Sequence, residues 1–214
     1  SVGSVGTAAA RGRKKRANKT KRGTRGFPPN GITEWGPSRT LGNGDVRTFT
    51  VETPSGQLKH HGLYFERATL DGLPSPAALK TDEKYDDLYG EHGKGAQIHG
   101  KYSQQFFIPL PETDSSPFTF VSLNWNPKGH PIDGVWTVPH FDMHFHMTPS
   151  AVVEEIDGPR GPEYEFPERY RPEGYLRSPN VDERVITYIG EHLADSTAPE
   201  LQEGQSEFDN TLIW

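Results

Sequence analysis

Cysteine is absent from this chain of 214 residues. The protein can therefore form neither a disulfide bond nor a thiolate metal site. Long apolar runs are missing as well, since no stretch approaches the roughly 18 consecutive apolar residues that a membrane-spanning helix requires. We accordingly expect no membrane span, and any bound metal must rely on nitrogen and oxygen ligands.

Hydrophobic residues make up only 32% of the chain, which is low for a compact globular protein. The 19 prolines and 23 glycines indicate many turns and few long helices. A chain of this length is typical of one domain. We predict a single folded domain over residues 27–214 with a loop-rich core.

Acidic residues are missing from residues 1–26, which carry nine lysines and arginines. The rest of the chain holds the other 14 of the 23 basic residues and all 29 acidic ones, a formal charge of −15. This balance predicts an acidic surface and disfavours nucleic acid as a ligand of the folded body. We interpret residues 1–26 as a disordered basic segment; a tail that binds nucleic acid or an anionic surface is the alternative.

The first ten residues read SVGSVGTAAA, a weakly apolar run that closes on alanines. This pattern resembles the end of a bacterial or haloarchaeal export signal. The chain begins with serine, so we expect a fragment or a processed product. The interpretation predicts an exported, extracytoplasmic protein, with the twin-arginine route as one candidate.

A histidine-rich segment, residues 140–146, alternates polar and apolar side chains in the sequence HFDMHFH. Alternation with a period of two is the signature of a β-strand, whose successive side chains point to opposite faces. We expect the apolar side chains to pack into a core. The polar face is predicted to carry three imidazoles and a carboxylate, from His140, Asp142, His144 and His146.

Three histidines and an aspartate in register predict a metal site, because imidazole and carboxylate are common metal ligands. Residues two apart on one face are separated by roughly 6.6 Å, so their side chains can converge on one ion, whereas residues four apart are separated by roughly 13 Å. The wider pair needs a bend or bulge, for which Pro139 is a plausible place. A single strand cannot enclose an ion, so further ligands must come from elsewhere in the chain.

The other strand signals are short segments separated by proline and glycine. We predict strands at 46–52, 58–66, 105–110, 118–125 and 185–189, and short helices at 77–89 and 148–156. The segments 27–31, 90–103 and 157–180 are predicted to be loops, and residues 41–45 to be a turn. The fold class expected from this pattern is mainly β, an antiparallel barrel- or sandwich-like single domain with long loops and one or two short helices.

The sequence around the histidine strand resembles the signature of an exported prokaryotic family that is classed as a domain of unknown function. The resemblance is carried by residues 123–131, LNWNPKGHP, and residues 134–145, GVWTVPHFDMHF. Weaker similarity covers residues 66–74, 190–201 and 209–214, so that the match spans roughly residues 42–214. One thermophile member of this family is controlled by an extracytoplasmic sigma factor.

This resemblance implies a mostly β domain, a bound metal and a tendency to form homo-oligomers, but no known reaction. Combined with the strand pattern, it predicts zinc or another divalent transition metal. The predicted ligands come from three separated segments: His140, His144, His146, Glu66 and His192. Asp142 is expected to orient an imidazole, with direct metal binding as the alternative. His130 is expected to fix its turn by hydrogen bonds.

Two departures from the family pattern matter. Family members usually have an aromatic hydroxyl at the place of His146, so this histidine is an extra or a substitute ligand. The resemblance also implies that the chain ends before the family's last strand is complete.

Two classes of function remain open at this point. The first is a non-enzymatic exported metal-binding or structural protein, which would assemble into a ring. The second is a metal-dependent hydrolase or lyase with a metal-activated water. No nucleophile motif such as G-x-S-x-G occurs, which favours the first class. A cupin-like dioxygenase, with iron held by two histidines and one carboxylate, is a third interpretation.

Overall fold

The computed structural model describes residues 26–158, 167–202 and 208–213. These residues form a mainly β, antiparallel domain with two short α-helices, as the sequence predicts. The strands of the described residues close no barrel, so the sandwich-like alternative is the correct one. The predicted disordered segment 1–26 lies outside the described residues, apart from Gly26.

The first sheet contains three strands in the order β1-β2-β3, namely Thr33–Leu41, Gly44–Glu52 and Leu58–Phe65. Strands β2 and β3 and their connecting turn agree with the prediction. Strand β1 was not predicted, because only a turn cluster at 27–31 and a turn at 41–45 were recognised in this part of the sequence. Its alternation is broken by a register shift between Trp35 and Ser38, where Gly36 lies so close to Thr48 Oγ1 that a Cβ atom would overlap it.

The second sheet has four strands in the order β4-β5-β6-β7: Lys94–Ile98, Lys101–Pro109, Phe120–Asn126 and His140–His146. The histidine strand is therefore β7, at the edge of this sheet. Strand β4 was predicted as loop because its sequence, KGAQI, lacks aromatic residues and contains a glycine. It forms because every residue pairs with β5 across the tight turn at His99 and Gly100.

The hydrophobic core lies between the two sheets. It contains fully buried residues from β1, β2, β5 and β6: Leu41, Val46, Phe106, Ile108 and Leu123. The apolar face of β7 reaches this core only in part. Phe141 packs against it, whereas Met143 and Phe145 remain 48% and 39% exposed. The expectation that all three would pack into a core was therefore wrong for two of them.

The opposite face of the second sheet is covered by the later part of the chain. A second apolar cluster joins Phe107 and Phe120 of the sheet to Leu88 and Val153. The later part of the chain contains α2 at Ser150–Glu154, which contributes Val153 to this cluster, and four short strands, β8 Tyr175–Arg177, β9 Val185–Ile186, β10 Gly190–Glu191 and β11 Leu193–Asp195. Strand β8 pairs with β11 and β9 pairs with β10, both antiparallel.

Both α-helices are shorter than predicted. Helix α1 spans Pro76–Thr81. Asp82 follows it and caps the next turn, because its side chain accepts a hydrogen bond from the Lys84 amide. In α2, Pro149 precedes the first helical residue rather than occupying it. Short 3-10 turns occur at Arg67–Leu70, Glu83–Tyr85, Glu168–Tyr170, Val181–Glu183 and Pro199–Leu201. Within the described residues, neither α-helix nor any 3-10 turn has the length and apolar character needed to span a membrane.

Candidate metal centre

Strand β7 presents its histidines on the face of the second sheet that the later part of the chain covers. Its antiparallel register with β6 places Asn126 opposite His140 and Asn124 opposite Asp142. Ser122 pairs with His144 in the same way. The β6 side chains on this face are buried and polar, which is unusual in a sheet interior and costs free energy unless hydrogen bonds compensate.

His130 reaches the same end of the sheet through the connection between β6 and β7. The Gly129 amide donates to the Asn126 carbonyl at 3.1 Å, and the His130 amide donates to the Trp136 carbonyl at 3.0 Å. Gly129 has a φ of 59°, a left-handed conformation that favours glycine. The tight turn returns the chain toward His140 and brings the His130 ring over the end of β7.

Three side chains converge at this point. The His130 Nε2 atom lies 3.2 Å from an Asp142 carboxylate oxygen, and the His140 Nε2 atom lies 3.3 Å from the other oxygen. The two Nε2 atoms are 3.2 Å apart. Among the described residues, this is the one group of three histidine or acidic side chains whose ligand atoms all lie within 4.8 Å of one another and could hold a metal ion.

The hydrogen bonds of the two rings determine their tautomers. His130 Nδ1 lies 2.8 Å from the Pro131 carbonyl, and His140 Nδ1 lies 2.7 Å from the Val138 carbonyl. A carbonyl oxygen only accepts hydrogen bonds, so each Nδ1 carries a hydrogen and donates it. In the neutral rings both Nε2 atoms therefore present lone pairs. Two lone pairs and a carboxylate at about 3.2 Å repel one another unless a proton or a metal cation lies between them.

The charges of the group also favour a proton or a metal cation between the two rings and the carboxylate. Burial alone would raise the pKa of Asp142, but the contacts with His130 and His140 outweigh it and hold that pKa well below its usual range. Burial likewise opposes the charging of His140, yet the Asp142 carboxylate and the Val138 carbonyl raise its pKa. Asp142 thus favours a proton on His140, and a metal ion would compete with that proton.

Neighbouring side chains orient the group and limit its contact with solvent. Asn126 Nδ2 donates to an Asp142 oxygen at 2.7 Å, which fixes the carboxylate. The Trp136 ring lies 5.9 Å from the His130 ring, and the Phe208 ring lies 5.3 Å from the His140 ring. The three side chains remain 15%, 9% and 24% exposed for His130, His140 and Asp142, so the group is partly open to solvent.

The other histidines predicted from β7 and from the later segment form a separate arrangement. The His144 and His192 rings stack in parallel at 5.0 Å, and His144 Nδ1 lies 3.3 Å from Ser122 Oγ. His146 Nε2 lies 3.0 Å from the same hydroxyl and stacks on Phe120. The structure does not bring these three histidines into the His130–His140–Asp142 group, and their roles as ligands stay predictions.

Burial keeps these side chains neutral at ordinary pH. It lowers the pKa of His146 to about 4 and that of His192 to about 3, with a further contribution from the neighbouring His144 in each case. Burial also lowers the pKa of His144, against the attraction of Asp142. Neutral imidazoles retain a lone pair for hydrogen bonding or metal binding.

Glu66 differs from the partly or fully buried histidines because its side chain is exposed. It lies after the end of β3, and its carboxylate accepts a hydrogen bond from the Asp45 amide at 3.2 Å. It does not belong to the three-residue group, and its role as a ligand stays a prediction.

His130 was the residue that sequence reasoning missed. It was expected to fix its turn, and its Nδ1 atom does so, but its Nε2 atom faces the group. One signal was available in the sequence. If β6 and β7 form an antiparallel hairpin, every residue in their connection must lie at the end of the sheet where His140 begins.

The donor set of the group is two imidazole nitrogens and one carboxylate. Zinc and other divalent transition metals accept this set. Three protein ligands leave at least one coordination position free in a tetrahedral site, which is the arrangement of catalytic rather than purely structural zinc sites.

Comparisons with known proteins add no family to this description. No family model matches the chain, and neither the curated proteins nor the solved structures contain a match. The resemblance to the exported prokaryotic family therefore stays a prediction.

Proposed function

We propose that this chain is an exported metal-binding β-domain protein that holds one divalent transition metal ion, with zinc as the first candidate. His130 Nε2, His140 Nε2 and the Asp142 carboxylate are the ligands in this proposal. One observation carries it: the backbone carbonyls take both Nδ1 hydrogens, so that two lone pairs and a carboxylate converge. Export is supported by the composition of the first residues and by the family resemblance alone.

Metal content of the purified protein tests the proposal. We expect about one equivalent of metal in the natural sequence after dialysis against chelator-free buffer, measured by mass spectrometry. Substitution of one ligand, in His130→Ala or Asp142→Asn, should remove most of it because the site loses geometry and charge balance. His60→Ala is the matched control, since His60 is exposed on the first sheet. Full occupancy in both ligand variants, or no metal in the natural sequence, contradicts the proposal.

A metal-dependent hydrolase or lyase is the second candidate. The observation that favours it is the count of three protein ligands in a group that is partly exposed, because a fourth position can then hold an activated water. Hydrolysis of p-nitrophenyl acetate by the zinc-loaded protein tests it, with the Asp142→Asn variant as the control. Turnover no faster than that of the variant would argue against this candidate. The same two-histidine, one-carboxylate set also suits iron(II) oxygenases, so iron should be included among the metals supplied.

A homo-oligomer is proposed on the family resemblance alone. Light scattering of the purified chain measures its mass directly. A mass of one chain, 23.9 kDa, at micromolar concentration would contradict it.

A further inference from the structure

A row of polar side chains, called the polar row below, extends from the His130–His140–Asp142 group (the metal group) across the covered face of the second sheet. Gln105 of β5 pairs with Asn124 of β6, which pairs with Asp142 of β7. Gln105 and Asn124 are fully buried. Neighbouring strands lie about 4.8 Å apart, so Asn124 is one strand spacing from the metal group and Gln105 is two.

Three polar atoms on this face have no hydrogen-bond partner among the described residues. They are Gln105 Oε1, Asn124 Oδ1 and His192 Nε2. The orientation of Gln105 follows from its partner, because its Nε2 group donates to the Tyr188 carbonyl at 3.2 Å and leaves Oε1 as the free end. A buried acceptor without a donor destabilises the folded state, so such atoms usually mark the place of water, an ion or a ligand.

The backbone around the same face is strained at two places. Tyr188, whose carbonyl accepts from Gln105, has a φ of 62°. His99, whose ring lies 6.0 Å from the His130 ring, has a φ of 45°. Residues other than glycine are strained in this conformation, and such strain clusters at ligand sites and active sites as well as in tight turns, like the one that contains His99. Tyr188 thus borders the polar row, and His99 lies beside the His130–His140–Asp142 group.

We propose that this polar row is the binding wall for a small organic acid derivative that reaches the metal ion. The ligand would contribute an anionic oxygen to the metal, and an adjacent N–H or hydroxyl group would donate to Asn124 Oδ1 or Gln105 Oε1. The charges around the metal and the free amide oxygens explain why this ligand combines an anionic oxygen with a hydrogen-bond donor. A divalent ion beside one carboxylate retains a positive charge that attracts an anionic oxygen, whereas the free atoms of the two amides are acceptors and require a donor.

The inference rests on the metal site of the proposed function, so the experiment begins with metal content. The metal-loaded full chain is then titrated by calorimetry with acetohydroxamate and with N-methylacetohydroxamate. Both probes offer the metal the same pair of oxygens, and only the first has an N–H donor. We expect acetohydroxamate to bind about tenfold more tightly, the value of one hydrogen bond to a buried acceptor.

Two variants separate hydrogen bonding from the bulk of the methyl group. Asn124→Leu and Gln105→Leu keep approximately the size of the side chain and remove the acceptor. At least one of them should reduce the tenfold ratio toward one. Gln104→Leu is the matched control, because Gln104 is also buried with an unpartnered Oε1 but lies on the opposite face of β5. This control should retain the ratio.

The outcomes distinguish the two levels of the proposal. Absence of metal from the natural sequence overturns the proposed function itself. With metal present, equal affinities for the two probes mean that water alone satisfies these atoms, and the inference is wrong. A preference that persists in both leucine variants reflects the size of the methyl group and also overturns it. Circular dichroism establishes that each variant is folded. If one leucine variant is not, the other carries the comparison, and equal affinities of the two probes in the natural sequence still overturn the inference.

Discussion

At the scale of the residue, the hydrogen bonds of two rings decide what the site can bind. His130 and His140 both donate from Nδ1 to a backbone carbonyl, and both therefore direct a lone pair toward Asp142. The sequence could identify His140 and the aspartate as candidates. It could not reveal the tautomers, because these depend on where the carbonyls of Pro131 and Val138 point in the folded chain.

Asn126 is predicted to strengthen metal binding without touching the metal. Its amide donates to an Asp142 oxygen at 2.7 Å and holds the carboxylate in one orientation. Asn126→Ala should weaken metal affinity about 10- to 100-fold, the usual effect of removing such a partner. Competition with a chromophoric chelator measures the change. Unchanged affinity in a folded Asn126→Ala protein would mean that the carboxylate is held by other contacts.

Acid should destabilise the metal-free protein between about pH 6.5 and pH 4, through His146 and His192. The pKa values of these side chains are lowered from 6.5 to about 4 and about 3 in the folded state. The unfolded chain thus binds more protons in this range, and stability is fully present above pH 6.5 and falls with decreasing pH. Each pKa unit corresponds to about 1.4 kcal/mol, so the loss should exceed ~1 kcal/mol. His140 has the opposite effect because its pKa is raised in the folded state. It stabilises the folded state at low pH, and this stabilisation is lost as the pH rises.

Urea unfolding at several pH values measures this effect, and His146→Tyr provides the control. Tyrosine can stack on Phe120 as His146 does, and it is the type of residue that the family resemblance predicts there. The variant should retain metal and show a smaller decrease in stability between pH 6.5 and pH 4. An identical pH dependence of stability in both proteins would exclude His146 as a cause of the acid effect. Loss of metal from the variant would indicate that His146 is a ligand.

At the scale of the element, alternation predicted which residues of β7 share a face but not which face is covered. The histidine face of β7 lies under the later part of the chain, and Met143 and Phe145 are largely exposed. In this later part the sequence predicted a strand at 185–189, which overlaps β9, but it missed β8, β10 and β11, because these are only two or three residues long. Strands this short give no periodic signal. Strands β1 and β4 were missed for a related reason, since glycine interrupts both and their pairing comes from neighbouring strands.

The turn at Gly129 is predicted to be essential for the site. A Cβ atom at this position would overlap the Trp136 carbonyl oxygen, and its φ of 59° adds strain. Gly129→Ala should destabilise the protein by about 1–3 kcal/mol and lower metal occupancy by displacing His130. Gly134→Ala is the matched control, because Gly134 also has a positive φ, 79°, but a Cβ atom there meets nothing within 4 Å.

Urea denaturation and metal analysis of both glycine variants test this prediction. The control should lose some stability through strain alone and retain its metal. Equal metal occupancy in Gly129→Ala and the natural sequence would show that His130 does not depend on the turn.

At the scale of the whole molecule, the two faces of the second sheet have different partners. One face packs on the first sheet, and the other contacts the later part of the chain and carries His140 and Asp142, which the β6–β7 connection joins to His130. The mainly β class was predictable because turns and short alternating segments dominate the sequence. The pairing of His130 with His140 was not, because it depends on tertiary folding of a loop.

Metal binding should stabilise the folded state, because the unfolded chain cannot bring the three ligands together. A metal concentration about 100 times the dissociation constant should add about 2.7 kcal/mol to the free energy of unfolding. Thermal melting with zinc and after chelation measures the difference. The His130→Ala protein should melt at the same temperature under both conditions. An unchanged melting temperature of the natural sequence after confirmed metal loss would argue against coupling between the site and the fold.

The most direct test of the account is the position of the ion in a crystal of the metal-loaded chain, located by anomalous diffraction at the absorption edge of the metal. The account predicts one strong peak about 2.0–2.2 Å from His130 Nε2, His140 Nε2 and an Asp142 oxygen, the usual distances for zinc. A peak between His144, His146 and His192 instead, or no peak in protein that contains metal in solution, would contradict it.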